Sequence, residues 1–168
     1  MNSAVLNDIA RFFLLLAAQV LIFNNMNFFG YLNPYPYVLF IILYSVNGNK
    51  TGLLISSFLL GIMMDMFCNS GGVHAAASVS LAYLRPTFFK FSFGVSYEYQ
   101  TIKINDKHTP ERFSFILIAI VTHHFILFLL ETFQISFFFE ILFRTILSSI
   151  FTLLLSVLII YMFKPVKR

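Results

Sequence analysis

The stretch GIMMDMFCNSGGVHAAA, residues 61–77, decides how this chain folds. Two apolar runs meet at Asn-Ser-Gly-Gly, residues 69–72. A connection this short forces the flanking helices into an antiparallel hairpin. Asp65 lies within one turn of the end of the first helix, and His74 opens the second. The sequence therefore predicts that these two polar residues lie close together at the outer end of the hairpin.

A carboxylate at this position has three possible roles, and the sequence leaves all three open. Asp65 can act as a structural clasp that fixes the turn, it can belong to a contact surface for another membrane protein, or it can form a proton or ligand site with His74. An ionised carboxylate is costly at the centre of a bilayer. Near a helix end, however, it can reach interfacial water, donors in the turn, or His74.

The composition is that of a membrane protein. Of the 168 residues, 59% are hydrophobic and 11% are charged, whereas soluble domains average about 45–50% and about 25%. No Asp, Glu, Lys, Arg or His occurs from Phe12 to Asn49. The single cysteine, Cys68, excludes an intramolecular disulfide. Residues 1–23 resemble a signal peptide, but Asp8 and the asparagines that follow the apolar run favour a retained first helix.

Six apolar segments predict an all-α integral membrane protein with six transmembrane helices in one compact domain, residues 1–168. The segments are residues 5–23, 36–46, 51–67, 73–91, 113–130 and 141–163. The second is short for a span, which needs about 20 residues. It begins in NPYPYV, where Pro34 and Pro36 cannot lie inside a regular helix. We therefore expect a broken entry there that is buried against protein. Thr109-Pro110-Glu111 is typical of a helix start.

Basic residues alternate along the connections between these segments. The connections 24–35, 68–72 and 131–140 contain no Lys or Arg, whereas the other connections and the tail contain Lys50, Lys103, Lys107, Arg112, Lys164, Lys167 and Arg168. Because cytoplasmic loops carry an excess of Lys and Arg, the pattern predicts that both termini are cytoplasmic. The same pattern predicts a chain that crosses the membrane several times.

Small residues recur every four positions in the third segment. Gly48, Gly52 and Ser56 form one row, and Ser57, Gly61 and Asp65 form the neighbouring one. Such rows allow helix backbones to approach closely. In the fourth segment, Pro86 is expected to kink or end the helix. Arg85 is expected to extend towards the cytoplasmic headgroups, with a buried pair or a partner contact as the alternative.

The remaining polar residues give no catalytic, cofactor-binding or metal-binding pattern. His123 and His124 point about 100° apart on a helix and cannot easily share one ion. Glu140 and Arg144 have the spacing of an i, i+4 ion pair. The chain contains no H-E-x-x-H, G-x-S-x-G, G-x-x-x-x-G-K or G-x-G-x-x-G motif. The sequence therefore predicts a protein that is not an enzyme and has no cofactor.

The order NPYPYVLFIILYS, GLLISSFLLGIMMDMF and SGGVHAAASVSLAYLRP resembles the rod shape-determining protein MreD family. The residues that carry the resemblance are Pro34, Gly52, Gly61, Asp65, Gly71, Gly72, His74, Ala75, Arg85 and Pro86. All of these residues except Ala75 are the candidates for structural or partner contacts.

The resemblance implies a non-enzymatic scaffold of the bacterial cell-elongation complex, located in the bacterial inner membrane, that supports peptidoglycan synthesis and cell shape. Its direct partner would be a bitopic MreC-like protein. Through that protein it would be connected to the MreB filament, the RodA glycosyltransferase and a class B penicillin-binding protein, with no nucleic acid involved. The family is also similar in helix arrangement to the substrate-binding subunits of energy-coupling-factor transporters. That similarity gives the alternative function, a small-molecule-binding subunit of a membrane transporter.

Overall fold

The computed structural model describes residues 3–27, 32–45, 48–94 and 109–162, and within these ranges the protein is helical without a β-strand. The helices are α1 (Ser3–Leu21), α2 (Leu39–Leu43), α3 (Lys50–Cys68), α4 (Val73–Phe93), α5 (Pro110–Thr132) and α6 (Phe138–Met162). Short 3₁₀ turns occupy Phe23–Asn25, Pro36–Val38 and Ile135–Phe137. The basic residues Lys103, Lys107, Lys164, Lys167 and Arg168 lie outside the described residues.

Side-chain caps explain where two of the long helices begin. Asn49 accepts a hydrogen bond from the Thr51 N–H at 3.0 Å at the start of α3. Thr109 accepts one from the Arg112 N–H at 3.3 Å at the start of α5, and Pro110 occupies the first helical position. A proline is tolerated there because its missing N–H would have no partner within the helix. The helix start predicted from Thr-Pro-Glu is confirmed.

Four helices are long and apolar enough to cross a membrane, namely Val5–Asn25, Lys50–Cys68, Pro110–Thr132 and Ile135–Met162. The predicted number of six spans is therefore not confirmed. The five residues of α2 reach only about 7.5 Å at 1.5 Å per residue. The 21 residues of α4 are long enough, but this helix includes Arg85, Lys90 and several small polar side chains that lower its hydropathy.

The long helices from α3 to α6 pack in chain order, each against the next, and α1 packs against α2 and α3. Helix α4 therefore lies between α3 and α5. It buries both small apolar and polar side chains, among them Ala77, Ser78, Ala82 and Arg85. Because neighbouring helices cover much of α4, it can be less apolar than the helices that face outward.

The second segment forms the centre of the hydrophobic core. Residues 36–42 are all buried, and Tyr37, Val38, Leu39 and Ile41 have no exposed surface. The predicted break at the prolines is present, as a 3₁₀ turn that leads into α2, and it is buried against protein. The helix ends at Leu43, before the predicted boundary at residue 46.

Two contacts fix the direction of the first three helices. The Asn24 side-chain amide donates to the Cys68 Sγ at 3.4 Å, so the C-terminal ends of α1 and α3 meet. Arg11 donates to the Leu43 carbonyl at 3.1 Å, so the end of α2 lies beside the first half of α1. Helices α1 and α3 are therefore parallel and α2 runs antiparallel to them. We call the end that contains residues 68–73 the hairpin end, and the end that contains Arg11, Lys50 and Arg85 the basic end.

Two further expectations require correction. Arg144 pairs with Glu131 at 3.0 Å across the α5–α6 connection, instead of with Glu140, and its guanidinium lies over the Phe128 ring. In this position Arg144 makes both an ion pair with Glu131 and a cation–π contact with Phe128. A pair with Glu140 would provide the ion pair alone. Of the two effects expected at Pro86, a kink or a helix end, the helix end is wrong, because α4 continues to Phe93, close to the predicted segment boundary at residue 91.

Candidate functional site

The Asp65 carboxylate holds the hairpin together through three hydrogen bonds. Its Oδ1 accepts from the His74 N–H at 2.9 Å and from the Ser70 hydroxyl at 2.6 Å, and its Oδ2 accepts from the Ala75 N–H at 2.9 Å. His74 and Ala75 are in the first turn of α4, where N–H groups have no partner within the helix. Asp65 therefore caps α4 from the preceding helix, and it is 8% exposed.

The turn between α3 and α4 uses left-handed backbone conformations. Asn69, Gly71 and Gly72 have φ values of 52°, 68° and 101°. A Cβ atom on either glycine would meet nothing within 4 Å. The glycines are therefore required by the backbone conformation and not by lack of space.

Gly61 is the point of closest approach between α3 and α4. A Cβ atom there would lie 2.3 Å from the Ala75 Cα and 2.6 Å from its N, both of them backbone atoms. Ser57 and Asp65, in the same row, are also buried. The second small-residue row therefore forms the α3–α4 interface, as the spacing of four predicts, and α4 fills it.

Behind the hairpin, Tyr37 connects two histidines in the core. Its hydroxyl lies 2.9 Å from the His74 Nδ1 and 2.9 Å from the His123 Nε2. Because a hydroxyl has one proton, Tyr37 donates to at most one imidazole and accepts from at least one. The three side chains link the second segment to α4 and α5, and all three are at most 5% exposed.

The non-helical backbone before α2 is satisfied by side chains from α1 and α6. Gln19 donates from Nε2 to the Pro34 carbonyl at 3.0 Å and accepts the Tyr37 N–H at its Oε1 at 3.3 Å. The Thr152 hydroxyl oxygen accepts the Tyr35 N–H at 2.9 Å. Irregular backbone at membrane depth requires such partners, because lipid offers none.

His124 extends this arrangement. Its Nδ1 lies 2.8 Å from the Ile120 carbonyl, which can only accept, so the proton is on Nδ1. Its Nε2 then accepts from the Thr152 hydroxyl at 3.0 Å. The adjacent His123 forms its hydrogen bond with Tyr37 instead. Within the described ranges, no group of three or more His, Cys, Asp or Glu residues is arranged to hold a metal ion.

At the basic end, Arg85 caps the end of α2. Its Nη2 donates to the Ile42 carbonyl at 3.4 Å and also to the Tyr44 carbonyl, and its guanidinium lies 4.7 Å from the centre of the Phe89 ring. The side chain is 6% exposed. The predicted extension of Arg85 towards the headgroups is therefore replaced by a contact within the protein.

The candidate residues thus separate into two groups. Asp65, Gly61, Gly71, Gly72 and His74 meet at the α3–α4 hairpin, and Pro34 lies close by, at the buried break. Arg85 and Pro86 lie at the basic end, and Gly52 lies half-buried beside Tyr44.

Sequence reasoning missed Tyr37, Gln19 and Thr152, which complete the polar interior. Gln19 and Thr152 stand out as hydrogen-bonding side chains within apolar runs, and that is the signal that marks such residues in a sequence.

The fold and this site define an all-helical membrane protein whose buried polar groups hold a broken central segment in place. Compared with protein-family models, curated proteins and solved structures, the chain matches none.

Proposed function

We propose that this protein is a non-enzymatic scaffold of the bacterial cell-elongation complex, which binds an MreC-like bitopic partner in the inner membrane and supports peptidoglycan synthesis. The observation that carries the proposal is that buried polar groups of this protein bind other parts of the same chain. The Asp65 carboxylate, the Tyr37 hydroxyl and the Arg85 guanidinium all bind other parts of the same chain. Their arrangement supports a structural role for the interior and a function at the outer surface. The family resemblance supplies the identity of the partner.

The row of Gly52 and Ser56 on α3 is our candidate for the partner contact. Both residues are half-buried. A Cβ atom on Gly52 would meet first the Tyr44 hydroxyl at 3.1 Å, the end of a side chain. The three nearest atoms to that position belong to the side chains of Tyr44 and Asn49, whereas those at Gly61 are backbone atoms of α4. A transmembrane helix of the partner could therefore approach α3 closely here.

Co-purification from crosslinked membranes tests the proposal, with the MreC-like protein as the measured partner. Ser56→Leu should lower partner recovery, because the larger side chain prevents close approach of a helix. Ala76→Leu is the matched control, since Ala76 is a small, exposed residue on α4. Absence of the partner from membranes that contain the intact protein would overturn the proposal. Equal recovery with both variants would overturn the assignment of the contact to α3.

The transporter alternative has one observation in its favour, the broken and buried second segment, because transporters place their binding sites at such breaks. Here, however, Asp65 and His74, the polar groups expected to contact a ligand, are bonded to neighbouring residues. The geometry therefore gives more support to the scaffold. A retained small molecule in a native mass spectrum would favour the transporter subunit.

A further inference from the structure

A cavity of about 230 Å³ lies at the basic end, between α3, α4 and the connection that follows α2. Two cations, Lys50 and Arg85, contribute to its lining, together with the polar side chains of Tyr44 and Tyr83. No Asp or Glu occurs among its described lining residues. The cavity is therefore suited to an anion.

The two cations differ in how they are held. Arg85 is buried in the wall, where the Ile42 and Tyr44 carbonyls fix its guanidinium. Lys50 is exposed, so its ammonium group can approach a ligand from outside. Asp8, a carboxylate at the same end, pairs with Arg11 at 3.1 Å and also interacts electrostatically with Arg85, so Lys50 is the cation that remains most available to an anion.

The cavity also has an apolar side that continues along the outside of α3. Leu54 is in the lining, and Phe58 and Ile62 follow at intervals of four residues on the same helix face. Phe58 is 47% exposed and Ile62 is 38% exposed. An acyl chain that leaves the cavity would find a continuous apolar path towards the hairpin end.

We propose that this cavity binds the headgroup of an anionic phospholipid. Lys50 binds the phosphate, Arg85 contributes its positive charge from the cavity wall, and the acyl chain lies along Leu54, Phe58 and Ile62. Basic pockets between transmembrane helices bind anionic headgroups through the same combination of charge and apolar surface. The inference does not depend on the scaffold function or on its partner.

Native mass spectrometry of the full chain in detergent tests the proposal, with phosphatidylglycerol and phosphatidylcholine of identical acyl chains as probes. Phosphatidylglycerol should bind in preference. Lys50→Gln should weaken its binding about fivefold, the contribution of one basic residue beside anionic lipid. Lys90→Gln is the matched control, because Lys90 is exposed on α4 and does not line the cavity. Equal binding of the two lipids, or equal effects of the two variants, would overturn the proposal.

Two further measurements separate a lipid from a free anion. Phe58→Ala should weaken phosphatidylglycerol binding more than Ile55→Ala, since Ile55 is 56% exposed but lies off the proposed path. Inorganic phosphate at the lipid concentration should not displace the lipid. Displacement by phosphate, or equal losses in the two alanine variants, would identify the cavity as a site for a free anion and contradict the lipid.

Discussion

Asp65 accepts hydrogen bonds at the ends of two helices, the C-terminus of α3 and the N-terminus of α4. Its backbone carbonyl accepts the Ser70 N–H at 3.2 Å, which ends α3, and its carboxylate accepts the first N–H groups of α4. Negative charge at a helix N-terminus is also favoured by the helix dipole. These interactions explain how a chain with so few charges tolerates a carboxylate within an apolar helix.

Asp65→Asn should cost less stability than Asp65→Leu. The amide keeps one acceptor oxygen and should lose about 1 kcal/mol, whereas leucine leaves the donors of Ser70, His74 and Ala75 unsatisfied and should lose about 3 kcal/mol. Thermal unfolding in detergent measures both stability losses, with the fraction of protein that stays monodisperse as the readout. Met66→Leu, at a neighbouring exposed position, is the control. Equal midpoints for the two Asp65 variants would contradict the capping role.

The sequence was sufficient to bring Asp65 and His74 together, because a four-residue connection leaves two helices little freedom. It could not identify the atoms that meet. The carboxylate binds the backbone of His74, while the imidazole binds Tyr37, a residue of another segment. Whether Asp65 binds the backbone N–H or the imidazole of His74 depends on the distance between α3 and α4, which is set by packing.

At the scale of helices, the approach of α3 to α4 depends on Gly61. Gly61→Ala should destabilise the protein by about 3 kcal/mol, the upper end of the range for overpacked positions, because the added methyl group meets backbone that cannot rotate away. Gly52→Ala should have little effect, since the Tyr44 side chain can move. Thermal unfolding of the pair under identical conditions gives the comparison. A similar small loss in both variants would show that α3 and α4 can separate without penalty.

The broken second segment depends on side chains from other helices in the same way. Thr152→Val preserves shape but leaves the Tyr35 N–H and the His124 Nε2 without their partner, so we expect a loss of about 2 kcal/mol. Ser156→Ala is the control, because Ser156 is one turn further on α6 and its buried hydroxyl has no partner among the described residues. The unfolding midpoint of Thr152→Val should be clearly lower. If the unfolding midpoint of Ser156→Ala falls as far, the hydrogen bond between Thr152 and Tyr35 contributes nothing specific to stability.

Helix positions followed from the apolar runs, since α3, α4, α5 and α6 lie within three residues of their predicted boundaries. The hydrogen-bond and ion-pair partners of individual side chains did not follow from the sequence. Glu140 satisfied the local spacing rule for Arg144, but Glu131 is brought closer by the α5–α6 turn. The role of Tyr37 was not predicted, because nothing near it in sequence indicates two histidines that approach from other helices.

For the molecule as a whole, we predict six crossings, although only four helices are strongly apolar, and the prediction rests on one contact between helix ends. If only the four strongly apolar helices crossed, α3 would traverse the bilayer in the direction opposite to α1. Their C-terminal ends would then lie on opposite sides, yet Asn24 and Cys68 are 3.4 Å apart. Helix α4 is about 31 Å long at 1.5 Å per residue, enough to cross, and it buries the polar side chains of His74, Ser78 and Arg85.

Cysteine labelling in intact cells distinguishes the two arrangements. With six crossings and cytoplasmic termini, a membrane-impermeant maleimide should reach the native, exposed Cys68 from outside. In a Cys68→Ser background, Ser45→Cys should react only after permeabilisation, because Ser45 lies at the basic end. With four crossings from the same cytoplasmic N-terminus, both results would be reversed. Gln134→Cys is the control, since its loop is exposed and lies outside in either arrangement. Labelling of Ser45→Cys in intact cells would therefore show that the second segment, although buried in the centre of the fold, does not carry the chain across the membrane.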